Sequence, residues 1–362
     1  MKIFRKWIAC AVTIAGMAGS SIAIAQCPGS PGCLYQRPQF TFTENEFRIA
    51  YMDIAGRERT INIMVRQPDI SLSPLPVVVW SHGGAEGQTN ARTALKEWSE
   101  LTARSGYLTV SIAHTPRNPG ERSDLCNALG IANVADCEVF KYLNWDRPHD
   151  IKEVLAELRR QNAQGDFRGR IDLNRIAVGG HSAGSGAALS IAGAVRVFNE
   201  TLYSFADPQP IAFLAFSPQG PTSEGFFDTD FHKPDTSWDP LHRPVLVGTG
   251  DGDGGCDPPG DCMPGGDPPY GRRAGFNRMP EQGKYLFYIH DADAYHGMFG
   301  LDADCVAKGV AAIKCQAFSD WLTSAALAFL DAHIRGDNAA YTWLRNGWIR
   351  SASNNVVEWL EK

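Results

Sequence analysis

The sequence predicts an α/β fold, with a mostly parallel central sheet, helices on both of its faces and loop insertions at the C-terminal ends of its strands. Three observations carry this expectation. Runs rich in Val, Ile and Leu recur at lengths suited to strands buried on both faces. Segments with helical periodicity lie between several of these runs. The three longest irregular stretches each begin where a predicted strand ends, which is where open α/β sheets place their ligands.

In chain order the predicted strands are "RTINIMVRQP", "LPVVVWSHGG", "YLTVSIAHT", "RIAVGGHS", "IAFLAFSP", "RPVLVGTGDGD" and "KYLFYIHDA". "RPHDIKEVLAELRRQ" predicts a helix with Ile151, Val154, Leu155 and Leu158 on one face and Pro148 near its first turn. "GAALSIAGAVRVF" reads as a helix of small residues. "SDWLTSAALAFLDAHI" predicts a late helix capped by Ser319, with Trp321, Leu322, Ala325 and Phe329 on a common face. The irregular stretches are residues 115–146, 217–243 and 250–283. The second holds Phe226, Phe227 and Trp238, aromatics that suit an acyl pocket and a satellite core equally well.

The N-terminus, "MKIFRKWIACAVTIAGMAGSSIAIAQ", sets Lys2, Arg5 and Lys6 before an apolar run that closes on Ala23-Ile24-Ala25. That is the pattern of a secretory signal peptide over residues 1–25, so the expected product is secreted or periplasmic. Gln26 before Cys27 is not the small residue that a lipoprotein site needs. Of nine cysteines, Cys10 lies in the leader and eight follow it. They fall into close couples, Cys27 with Cys33, Cys126 with Cys137, Cys256 with Cys262 and Cys305 with Cys315, which suits local disulfides in an oxidising compartment. None has the CxxC spacing of zinc or redox motifs, and no metal is expected.

The 337 residues after Ala25 contain no linker or repeat that would divide them. We expect a disulfide-stapled N-terminal segment at 26–44, an α/β domain at 45–335 and a C-terminal extension at 336–362 packed on that domain. A net charge of −6 without a basic stripe offers no footprint for nucleic acid. No apolar run of membrane-spanning length follows the leader, so no integral membrane segment is expected after cleavage.

The chemistry concentrates in "IAVGGHSAGSGAALS". Here Gly180-His181-Ser182-Ala183-Gly184 forms a GxSxG sequence directly after a predicted strand and before a predicted helix. That context suits a nucleophile elbow, in which a sharp turn exposes the serine and flanking glycines remove steric clashes. A serine hydroxyl needs a histidine to take its proton, and the histidine needs a carboxylate to set its tautomer. Asp253 is the preferred acid, with Asp251 as the alternative, both just past the strand of "RPVLVGTGDGD". His296, beside Gly297 in the loop that follows the strand of "YIHDADAYHGMFG", is the preferred base; His290 is read as lying inside that strand, packed or facing solvent, and is the lesser candidate. His82, His114, His149, His181, His232, His242 and His333 are read as structural.

A tetrahedral intermediate also requires preorganised N–H donors. The amide of Ala183 is one candidate, and the loop His82-Gly83-Gly84 supplies the other, with Gly84 preferred and Gly83 the alternate. In "TGDGDGGCDPPGDC", Gly255 and Cys256 stand at the positions where a calcium loop wants Asp or Asn and then Gly. A disulfide-pinned loop is expected there instead.

The order Ser182, Asp253, His296 with an HGG loop upstream resembles the α/β-hydrolase superfamily over roughly residues 45–335. Within it, "WSHGG", "RPHDIKEVLAEL", "RIDLNRIAVGGHSAG" and "AYHGMF" resemble the predicted dienelactone-hydrolase and platelet-activating-factor-acetylhydrolase-like esterases, a group bordering secreted polyester hydrolases. Dienelactone hydrolases use a cysteine where this chain has Ser182, which argues against dienelactone as substrate. The resemblance implies a secreted serine carboxylic-ester hydrolase working through an acyl-enzyme, without metal or organic cofactor. A polyester or lipid-ester hydrolase with the same triad and a non-catalytic binding protein of the same fold are the competing expectations.

Overall fold

The computed structural model describes residues 34–84, 87–131, 139–198, 201–218, 237–253, 271–301 and 304–362. The signal peptide, the Cys27–Cys33 and Cys256–Cys262 couples, and Phe226 and Phe227 lie outside the described residues. Two antiparallel strands, β1 (Phe42–Met52) and β2 (Glu58–Pro68), open the fold. There follow β3 (Leu75–Ser81), α1 (Lys96–Arg104), β4 (Leu108–Ala113), α2 (Pro119–Ala128), α3 (Val139–Gln164), β5 (Ile171–His181) and α4 (Ala183–Ala192). A small hairpin of β6 (Val195–Phe198) and β7 (Thr201–Ser204) precedes β8 (Ala212–Phe216), β9 (Val245–Gly250), α5 (Ala274–Arg278) and β10 (Lys284–Ile289). The chain closes with a 3-10 turn (His296–Gly300), α6 (Ala312–Leu330), a π turn (Asp331–Arg335), α7 (Asn338–Arg345), α8 (Trp348–Ala352) and β11 (Val357–Glu361).

The main sheet runs β1-β2-β4-β3-β5-β8-β9-β10-β11. From β4 to β10 its neighbours are parallel, and antiparallel pairs occur only toward the two edges. Alternation along β3 shows why the central strands are apolar throughout. Val77 and Val79 face a core shared with α2, α3 and α4, whereas Val78 and Trp80 face a core shared with α1, α6, α7 and α8. All four are fully buried. Complete burial of each such side chain contributes about 1.5–3 kcal/mol, so both faces hold their helices. No helix among the described residues is long and apolar enough to cross a membrane.

All seven predicted strands are present, but the 115–146 stretch read as irregular contains α2, which Asn118 and Glu121 start with a capping box, and three predicted helices differ in extent. α3 starts at Val139 rather than near Pro148, which lies inside the helix. α4 stops at Ala192, because Gly193 turns to φ 129° and the chain re-emerges as β6, so the helix read through "AVRVF" is divided. α6 starts at Ala312, leaving Ser319 within the helix instead of capping it. The stretch 336–362 supplies α7, α8 and the edge strand β11 of the same sheet. Cys305 and Cys315 form a disulfide. Cys126 is also disulfide-bonded, and its expected partner Cys137 lies outside the described residues.

Candidate active site

The strand order reverses direction at β3 and β5, since the chain leaves β3 for β4 on one side and returns to β5 on the other. The crevice beyond the C-terminal ends of such a pair is where an open sheet accepts a ligand. The loop at His82 leaves β3 and Ser182 leaves β5, from strands whose register pairs Ser81 with Gly180. Moving outward, β8, β9 and β10 end just before Ser217, Asp253 and the His296 turn. Topology therefore gathers the candidate groups along one edge of the sheet.

Ser182 holds φ 55°, ψ −125° between β5 and α4. A Cβ-bearing residue rarely adopts this conformation, at a cost of about 1–3 kcal/mol. The turn is fixed on both sides: Ser182 N donates to Phe216 O at 3.0 Å, and Ser185 N donates to Ser182 O at 2.9 Å. Gly180 and Gly184 are both sterically required. A Cβ at Gly184 would lie 1.9 Å from the Ser81 carbonyl oxygen, and one at Gly180 would lie 2.2 Å from the Gly184 carbonyl oxygen. Gly184→Ala is accordingly expected to lower stability by about 3 kcal/mol, read as a shifted denaturant midpoint. An unchanged midpoint would contradict the close approach.

The candidate acid and base meet directly. His296 Nδ1 lies 2.9 Å from Asp253 Oδ1, and the carboxylate is fully buried. Asp253 also accepts from Thr249 Oγ1 at 2.8 Å and pairs ionically with Arg272, whose Nε lies 3.0 Å from Oδ1. Burial opposes its charge, but Arg272, His296 and Ser217 outweigh burial and hold the carboxyl below its ordinary range. Gly252 lets the two loops close together, since a Cβ there would meet the Ala292 carbonyl oxygen at 2.2 Å. Asp251, the alternative acid, instead accepts from Tyr288 OH at 2.8 Å. His290 stands past the end of β10, half exposed, 3.1 Å from Glu358. The structure thus brings Asp253 and His296 together and leaves Asp251 and His290 elsewhere.

Two side chains at this junction, Ser217 and Arg272, escaped sequence reasoning. Ser217, with φ 49°, donates its hydroxyl to Asp253 Oδ1 at 2.8 Å and lies 2.5 Å from His296 Nδ1. Its only signal was its place immediately after the strand of "AFLAFSP". His181 packs its ring 4.6 Å from that of His296, and its Nε2 is 2.9 Å from the His296 carbonyl oxygen. Arg272 donates to the backbone oxygens of both Asp253 and Ser217 at 2.9 Å, tying the acid loop to the β8 end. Trp98 Nε1 donates to Phe299 O at 3.0 Å and anchors the turn that begins at His296.

On the other side of Ser182 stands the glycine loop. A Cβ at Gly83 would lie 2.9 Å from Ser182 Cβ and 3.1 Å from His181 Nδ1, so only glycine fits there. Gly84 takes φ 83°, the second reason for a glycine pair. Ala183 is the first residue of α4, where an amide has no carbonyl partner within its own helix. Among the described residues no hydrogen bond joins Ser182 Oγ to His296; free sites often tighten this contact only with substrate bound.

Buried histidines set an acid limit on the fold. Burial pushes His114, His149 and His333 down to about 4, and His181 to about 3, from an ordinary 6.5. The unfolded chain therefore takes up protons first as the pH drops below 6.5. Stability should be complete above pH 7 and decline progressively from pH 6.5 toward pH 4. A thermal midpoint that stays flat between pH 6.5 and 4.5 would contradict this burial.

Trp238 is fully buried in the core under α5, so the one described aromatic of the 217–243 stretch packs rather than lining a pocket. No protein-family description matches the chain, and no curated protein gives a significant match.

Proposed function

We propose that the protein is an exported serine carboxylic-ester hydrolase of the α/β-hydrolase type, with Ser182 as nucleophile, His296 as base and Asp253 as the orienting acid. The observation that carries the reading is the buried Asp253 carboxylate on His296 Nδ1, on the same sheet edge as a serine held at positive φ between two obligatory glycines. With Nδ1–H directed at Asp253, the Nε2 lone pair is left to accept the Ser182 proton. Ser182 Oγ attacks the ester carbonyl, and the amides of Ala183 and Gly84 receive the developing oxyanion. Collapse expels the alcohol, which takes the proton back from His296, and leaves an acyl-enzyme. Water then adds to the acyl carbon by the same proton path and releases the acid, restoring Ser182.

The signal peptide read from the first 25 residues and the Cys305–Cys315 disulfide support export. The test is a short p-nitrophenyl ester mixed rapidly with the protein. A burst of p-nitrophenol equal to the protein concentration, followed by slower turnover, is expected of an acyl-enzyme. No release above the buffer rate would overturn the esterase reading in favour of a silent binding protein.

A further inference from the structure

A second Ser-His-Asp chain lies behind the glycine loop. Ser81 Oγ is 2.8 Å from His114 Nε2, and His114 Nδ1 is 2.8 Å from Asp150 Oδ2. These contacts match the bonding of a catalytic triad, yet all three side chains are sealed from solvent. Asp150 is saturated, because it also accepts from Tyr51 OH at 2.7 Å and from Arg59 Nε and Nη2 at 2.8 Å each. A substrate has no access to Ser81, and the chain must do something other than chemistry.

What it touches is the strand end that launches the His82-Gly83-Gly84 loop. Ser81 is the last residue of β3. The His114 amide donates to His82 Nε2 at 3.2 Å, so His82 carries its proton on Nδ1, which donates to Gly83 O at 2.6 Å. Burial keeps both rings neutral at neutral pH, with these tautomers fixed. From α3, the buried Arg147 guanidinium donates to the carbonyl oxygens of His82, of Gly83 at 3.5 Å and of Gly84 at 2.5 Å. A trans peptide is planar, with its N–H opposed to its C=O. Drawing the His82 and Gly83 carbonyls toward Arg147 therefore turns the Gly83 and Gly84 amides the other way, on a loop whose Gly83 abuts Ser182.

We infer that Arg147, together with the Ser81-His114-Asp150 chain, is a positioning device that turns the glycine-loop amides toward Ser182 and so aims the Gly84 N–H as the oxyanion donor that works with Ala183. The inference deepens the esterase reading and rests on it. Lysine cannot replace the arginine, since one ammonium cannot span three carbonyls in a planar fork. The device acts only on the tetrahedral species, so its loss should lower kcat and leave KM nearly unchanged.

The test compares Arg147→Lys and Ser81→Ala with Tyr51→Phe, which removes a different hydrogen bond to Asp150 and touches nothing in the loop. Arg147→Lys is expected to lose roughly 30- to 100-fold in kcat with KM within about threefold, and Ser81→Ala about tenfold. Affinity for phenylboronic acid, which becomes tetrahedral on the serine, should fall by the same factors. Tyr51→Phe should keep kcat within about twofold despite any loss of stability. Should Arg147→Lys fail to fold, Ser81→Ala decides. Unchanged kcat per folded molecule, or equal loss in all three variants, would overturn the inference. Backbone amide signals of Gly83 and Gly84 in nitrogen-15 spectra separate the two ideas. If the wild type hydrolyses no ester, the esterase reading fails; the amide signals then decide the positioning claim, by moving in Ser81→Ala but not Tyr51→Phe, or by staying fixed.

Discussion

Ser182→Ala is expected to lower turnover of short p-nitrophenyl esters by roughly 10⁴-fold or more, with the thermal midpoint unchanged. Alanine keeps the Cβ, and with it the strained φ of 55°, so only the hydroxyl is lost. Ser182→Gly should be equally inactive, yet more stable by about 1 kcal/mol. Glycine relieves about 1–3 kcal/mol of backbone strain and returns part of it as unfolded-chain entropy. The opposed movement of activity and stability is the signature of a side chain retained for chemistry against the preference of its backbone. Equal stability of the alanine and glycine variants in a denaturant titration would contradict the strain. Activity retained by either would remove Ser182 from the mechanism.

The second large effect is expected at Asp253. In Asp253→Asn an amide NH₂ can present itself to His296 Nδ1, which favours the tautomer protonated on Nε2 and leaves no lone pair for the Ser182 proton. Turnover should fall by about 10³- to 10⁴-fold. The change also leaves the buried Arg272 facing a neutral group where it now has a carboxylate at 3.0 Å, a loss of about 3 kcal/mol. Asp251→Asn serves as the comparison, because Asp251 pairs with the Tyr288 hydroxyl away from the site. It should retain activity within about twofold. Equal losses in the two variants would contradict the assignment of the acid.

Legibility in the sequence followed how local the determinant was. The interior strands could be read because double-sided burial demands an uninterrupted apolar run, as in "LPVVVWS". β1 escaped because it is an edge strand, largely exposed and polar in "FTENEFRIAYM". β11 escaped because five residues near the end of the chain carry too little pattern. Ser182 was legible from its glycines, whose spacing meets a local steric demand. Asp253 could be preferred over Asp251 only on reach, whereas its burial and four partners depend on the closure of Gly252 against residues 292–294. Ser217, Arg272 and Arg147 act across the sheet from distant elements. In sequence, Arg147 looked like the first residue of a helix, when it lies inside α3 with its guanidinium on the loop after β3.

Among the described residues three serines, Ser81, Ser182 and Ser217, touch histidines or stand beside them, which makes the identity of the proposed nucleophile the central question. Ser81 bonds His114 but is sealed, and Ser217 lies on the Nδ1 side of His296 while donating its own proton to Asp253. Only Ser182 is partly open, at 7 % exposure, beside the glycine loop. The most direct measurement is reaction with a fluorophosphonate followed by proteolysis and mass mapping of the phosphonylated residue. A single adduct on Ser182, abolished in Asp253→Asn, is the expected result. An adduct on Ser217 or Ser81, or none on a folded protein, would contradict it.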